Sequence, residues 1–91
     1  MIKVTLYIEL DCGQLLVKRS QLPTLPPTDS GRVLSAGVSY GVREITVGER
    51  GEVVIELLQP DEPDAAVRES LLHNGWRISA NMSDIYSAAQ V

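Results

Sequence analysis

The chain has no phenylalanine, one tryptophan and three tyrosines. With so few rings, a core has to be built from Val, Leu and Ile, which favours strands over stacked aromatic platforms. Cys12 is the only cysteine, so an internal disulfide and a cysteine-rich zinc site are both excluded. His73 is the only histidine, which leaves too few nitrogen and sulfur donors for a histidine-built metal centre. The expectation is no metal and no cofactor. Bases are also short, with eight Lys and Arg against twelve Asp and Glu and a formal net charge of −4. They are scattered, and only Lys18 and Arg19 adjoin. Clustered cations that neutralise phosphates are therefore missing, and no nucleic-acid partner is expected. No run approaches the ~20 apolar residues of a membrane span, so no membrane partner is expected. The first residues form a strand pattern with charges inside it, not the basic start and unbroken apolar run of a secretory signal, and the expected location is cytoplasmic.

What remains is an ordinary globular composition, 44% hydrophobic and 22% charged over 91 residues, which reads as one domain spanning 1–91. Ile2, Val4, Leu6, Ile8 and Leu10 alternate with Lys3, Thr5, Glu9 and Asp11, the period of a strand that buries one face. Tyr7 sits in the polar set, where its ring can lie against the sheet while its hydroxyl reaches water. After Asp11-Cys12-Gly13 a second strand follows at Leu15–Lys18, pairing as a hairpin. Pro23, Pro26 and Pro27 remove ladder donors from the next segment, so 22–31 reads as an ordered crossing loop. Leu34, Ala36, Val38 and Tyr40 then alternate in a third strand from about Arg32 to Tyr40. Gly37 and Gly41 allow either one bent strand or two shorter ones. Gly48-Glu49-Arg50-Gly51 turns the chain between Val42–Val47 and Val53–Leu58.

Asp61, Glu62, Pro63 and Asp64 mark a helix start, with Asp61 or Glu62 able to cap it. Val67 and Leu71 share its apolar face, and Asn74-Gly75 stops it, giving a helix over about 62–74. Trp76 falls where a hydrophobic residue packs back on the last turn, against Leu71, and a short closing strand follows to Ala80. In the tail, 81–91, Ile85, Ala88 and Ala89 have helical spacing in too short a segment to be stable alone, so its state stays open. The fold class is α+β: a single domain with a mainly antiparallel sheet of four to six strands and one helix in the C-terminal half.

Chemistry-bearing residues are sparse. Cys12 with His73 as base and Asp11 as orienter is a conceivable triad, though no motif surrounds Cys12 and a structural thiol is the plainer reading. Asp61, Glu62 and Asp64 form the densest acidic cluster, but lack the alternation and central glycine of a calcium loop, so they read as helix-start charges. Glu44 and Glu56 lie on paired strands and can face one another, with Arg43 and Arg50 near enough for surface pairing. The glycines form no phosphate loop, and Ser30, Ser35, Ser39 and Ser70 lack a nucleophile elbow. Leu22, Leu25 and the prolines between and after them fit a polyproline II ligand, but a stiff loop with both leucines on the core is the plainer reading, since leucines three apart give the loop one apolar edge.

These exclusions lead to a non-catalytic protein-binding or regulatory module acting through protein–protein contact, with a homodimer as one form. The alternatives are a small enzyme or enzyme subunit using Cys12, His73 or the carboxylates, and an acidic inhibitor of a nucleic-acid-binding enzyme. An open sheet edge is the expected device, at the first strand in preference to the segment after Trp76. The expected contact residues are Thr5, Tyr7 and Glu9 on that strand, with Leu22 and Leu25 in the loop.

Overall fold

Alternating apolar residues form strands wherever the chain can bury one face, and six such segments build the sheet. The computed structural model describes residues 1–27, 31–83 and 85. Its strands are β1 (Ile2–Glu9), β2 (Leu15–Leu22), β3 (Arg32–Ser35), β4 (Val38–Val47), β5 (Val53–Leu57) and β6 (Arg77–Ser79), with helix α1 (Asp64–His73) between the last two. They lie in the order β3-β4-β5-β1-β2-β6. Neighbours run antiparallel except β1 and β5, which are parallel with Thr5 beside Val54. The radius of gyration is 12.3 Å, against about 12 Å for a compact chain of this length, so the fold is one α+β domain.

Two faces are buried, unequally. Val4, Leu6 and Ile8 of β1 join Leu16, Val53, Ile55, Leu57, Val42, Tyr40 and Val33 in the main core, beneath Val67 and Leu71 of α1 and Trp76. The opposite face carries a smaller cluster of Tyr7, Leu15, Val17 and Val54, covered by Ile85 with Met82 beside it. Ala88 and Ala89, singled out with Ile85 by their spacing, lie outside the described residues.

The expected open edge at β1 is corrected. β1 is paired on both sides, with β2 and with β5, and Thr5 and Tyr7 are only 2% and 8% exposed. The parallel pairing with β5 explains the miss, because alternation reports one buried face and says nothing of which strands lie alongside. The true ends of the sheet are β3 and β6, the latter being the segment after Trp76.

The third strand is corrected too. The chain turns at Ala36-Gly37, both with positive φ (50° and 80°), the two-residue turn that matches strand twist. β3 and β4 are thus a hairpin, and β4 runs unbroken through Gly41. The turn resets the alternation, so Val33 and Ser35 point inward and Leu34 outward. Farther on, Val42 lies opposite Leu57 and Glu44 opposite Glu56, making Arg43 the extra residue of a bulge. That shift lets Val42 and Ile45, three apart, serve the same core face.

The bulge bends β4 and the sheet curls. Lys18 Nζ on β2 donates to Ser35 Oγ on β3 at 3.2 Å and to the Asn74 carbonyl at 3.0 Å. In a flat sheet those strands would lie four spacings apart, about 19 Å, well beyond the reach of a lysine. The curl brings the ends together around the core, and the ammonium meets the helix C-terminus, where positive charge is favoured.

The helix starts later than expected and without the expected cap. Pro63 occupies the N-cap position with no side-chain capping bond, so neither Asp61 nor Glu62 plays that part. Its end follows the expectation. Trp76 N–H donates to the Leu71 carbonyl at 3.0 Å, Gly75 N–H reaches the Leu72 carbonyl at 3.4 Å, and Gly75 has φ +90°. β2 runs past the expected Lys18 to Leu22, which is buried, while in the proline loop Leu25 is 38% exposed and does not reach the core; positions 28–30 of that loop lie outside the described residues.

Gly75→Ala is expected to cost about 1 kcal/mol from backbone strain alone, since an added Cβ meets nothing within 4 Å. An unchanged urea midpoint would show that the left-handed stop contributes nothing. Thr5→Pro removes a ladder donor from a strand paired on both sides and should cost about 3 kcal/mol or more, measured as loss of the cooperative transition. Survival of the fold would put β1 at an edge after all.

Candidate functional site

The sequence-derived contact residues do not form one surface. Thr5 and Tyr7 are interior, Glu9 is exposed at the end of β1, Leu22 is in the main core, and Leu25 stands out from the proline loop.

The structure also separates the conceivable triad. Cys12 sits in the β1–β2 turn, where its backbone N–H donates to Asp64 Oδ2 at 2.8 Å at the start of α1. His73 is the last residue of that helix, about 15 Å of helix length away. Within the acidic cluster, Asp64 turns to structure while Asp61 and Glu62 stay exposed. Gln59 Nε2 donates to Asp64 Oδ1 at 2.7 Å, and Gln59 Oε1 accepts from Asp11 N–H at 3.0 Å. The β1–β2 turn, the chain leaving β5 and the helix start are thereby tied together. The Gln59 hydrogen bond, helped by the backbone N–H groups of Cys12 and Asp11, holds the Asp64 carboxyl below its ordinary value of 3.8.

Glu44 and Glu56 do lie directly opposite one another. Arg43, pushed out by the bulge, approaches Glu56 at 3.9 Å, an exposed pairing worth little. Among the described residues no group of three or more His, Cys, Asp or Glu side chains is placed to hold a metal ion. No helix among them is long and apolar enough to cross a membrane.

The features that stand out lie at the β3–β4 end, where sequence reading named no site. Val42 N–H donates to the Gly31 carbonyl at 3.0 Å. Antiparallel alternation then sends the backbone groups of Val33 and Ser35 toward β4, and those of Arg32 and Leu34 away from it. β3 ends the sheet, so the groups of Arg32 and Leu34 face outward. Leu34 is 68% exposed.

The same alternation aims Ser39 and Gly41 toward the β5 side. Gly41 accepts from Leu58 N–H at 2.8 Å, the last bond before the two chains part. A cleft of about 390 Å³ opens there, between Val38–Gly41 of β4 and Leu58–Asp61. Arg32 crosses β4 where Gly41 has no side chain and donates from Nε to Ser39 Oγ (2.8 Å) and from Nη2 to the Ser39 carbonyl (3.2 Å). Tyr40 lines the cleft and packs on Trp76 with ring centroids 6.0 Å apart. Burial, and then the nearby charge of Glu62, raise the Tyr40 hydroxyl above its ordinary value, keeping it a neutral donor. The buried Trp76 Nε1 has no hydrogen-bond partner among the described residues. Arg32, Leu34, Ser39, Gly41 and Leu58 escaped the sequence reading because a lone arginine, small residues and single leucines form no motif. Only Gly37, as a point where the strand can bend, hinted at this end of the sheet.

Comparison with known proteins finds no matching family model, no similar curated protein and no similar solved structure.

Because the folded-state carboxyl of Asp64 is depressed, its contribution to stability is present above the unfolded value and lost as pH falls through the folded one. Asp64→Asn should therefore lower the urea midpoint at neutral pH, and the gap to wild type should close as pH falls from about 4 downward. A gap that stays constant with pH would remove Asp64 from the acid response.

Proposed function

We propose that the protein is a non-catalytic binding or regulatory module that acts through protein–protein contact, with a second copy of itself as the partner. The observation that carries this reading is the outer side of β3, where the backbone groups of Arg32 and Leu34 face away from the sheet beside an exposed Leu34. A strand added there completes hydrogen bonds that no described residue makes. Two-fold pairing fits the pattern. Since Arg32 and Leu34 point outward, an antiparallel copy sets Arg32 opposite Leu34 of the second protomer, with the axis at Val33. The two arginines are then not directly opposed, and their side chains stay turned across β4 to Ser39.

The catalytic alternative loses support from the separation of Cys12 and His73 by the length of α1. We place the module in the cytoplasm, a reading supported by the exposed free thiol of Cys12, which a reducing compartment preserves.

Leu34→Pro tests the reading, because its N–H faces outward and the β3–β4 ladder does not use it. Sedimentation equilibrium from about 1 μM to about 1 mM should show wild-type dimers and a monomeric variant with an unchanged thermal midpoint. A wild type that remains monomeric throughout ends the self-pairing reading.

A further inference from the structure

The cleft between β4 and the chain leaving β5 is unbalanced in its hydrogen-bonding groups. Ser39 N–H and Gly41 N–H both aim into it, two residues apart on one strand edge, and among the described residues no backbone carbonyl accepts from either. The Ser39 carbonyl, the acceptor on that edge, is already taken by Arg32 Nη2. Arg32 is held across Gly41 by its two bonds to Ser39, and among the described residues no acceptor takes Nη1 beside the opening. On the facing wall Pro60 has no N–H to offer, and Gln59 is committed to Asp11, Glu62 and Asp64. Leu58 adds an apolar surface that is 49% exposed. A cleft with fixed donors, a pinned guanidinium and an apolar shelf calls for an acceptor-rich, negatively charged ligand with an aliphatic neighbour.

We propose that this cleft binds the C-terminal carboxylate of an extended polypeptide segment. The carboxylate sits on Arg32, the preceding carbonyl accepts from the strand edge at Ser39 and Gly41, and the last side chain lies on Leu58. The spacing of the two N–H groups is that of a strand edge, which suits extended backbone better than a compact organic acid. Asp61 on the far wall disfavours a second negative charge, so the fit is to one terminal carboxylate and not to an acidic run. This inference goes beyond the self-pairing edge and does not rest on it, because the outer side of β3 and the cleft use opposite sides of the hairpin.

The test is an amide-resolved NMR titration of the full chain with acetyl-Thr-Val-Val as free acid and as amide. The free acid should shift the Ser39, Gly41 and Leu58 signals saturably and bind about tenfold more tightly than the amide. Arg32→Gln should erase most of that preference. Gly41→Ala should weaken both peptides, since its Cβ would lie 3.1 Å from Leu58 Cδ1 and narrow the cleft without touching the arginine's charge. Leu34→Pro should leave peptide binding intact, which separates this site from the pairing edge. Equal binding of acid and amide, no saturable shift at Ser39 and Gly41, or acetate binding as tightly as the peptide would each overturn the proposal.

Discussion

β4 carries one residue more than the strand it pairs with, and the rest of the architecture depends on that bulge at Val42–Glu44. A regular β4 would keep Val38, Tyr40 and Val42 on the core face but send Ile45 and Val47 to the other. The extra Arg43 restores the inward register for Ile45 and bends the strand, as bulges do by raising local twist. The bend swings the β3–β4 hairpin over the core, so that Lys18 of β2 can bind Ser35 of β3 and the carbonyl at the helix end. Without the curl, the core of Leu6, Ile8, Leu16 and Ile55 would lie open, because a ten-residue helix cannot cover six flat strands alone.

The same bend creates the cleft. After Leu58 N–H bonds to Gly41, β4 follows the curl and the chain leaving β5 goes to the helix start, where Gln59 and Asp64 anchor it to the β1–β2 turn. Two anchored segments diverge, and at the strand edge the N–H groups of Ser39 and Gly41 meet no backbone carbonyl among the described residues. The geometry that closes the core on one side therefore opens a cleft on the other. Cost and use have one source: a bulge gives up a ladder bond locally and gains curvature for the whole sheet.

Polar groups are concentrated at two junctions. At the helix start, Asp64 accepts from Cys12 and Gln59, and at the helix end, Lys18 donates to Asn74. Both are charge-assisted contacts that place the sign the helix dipole favours at each terminus. They fix the helix along its axis, while Val67 and Leu71 hold it against the sheet. Cys12 and His73, which invite a catalytic reading as a list of residues, are in fact held at the two ends of this one rigid element.

The amino-acid sequence by itself determined the elements whose signals are local. Alternation from Ile2 defines β1, Gly48–Gly51 defines the β4–β5 turn, and Gly75 with Trp76 defines the end of α1, because each rests on backbone preference within a few residues. It determined little about neighbours. The parallel pairing of β1 with β5, which buries Thr5 and Tyr7, joins segments some fifty residues apart, and no local pattern encodes it. The hairpin at Ala36-Gly37 was masked by an alternation that runs across it, and the bulge at Arg43 by the extended character that continues through it from Val42 to Val47. The edge at β3 and the donors of Ser39 and Gly41 were decided only in three dimensions. Which backbone groups remain unpaired depends on register and curl, and those follow from packing of the whole chain.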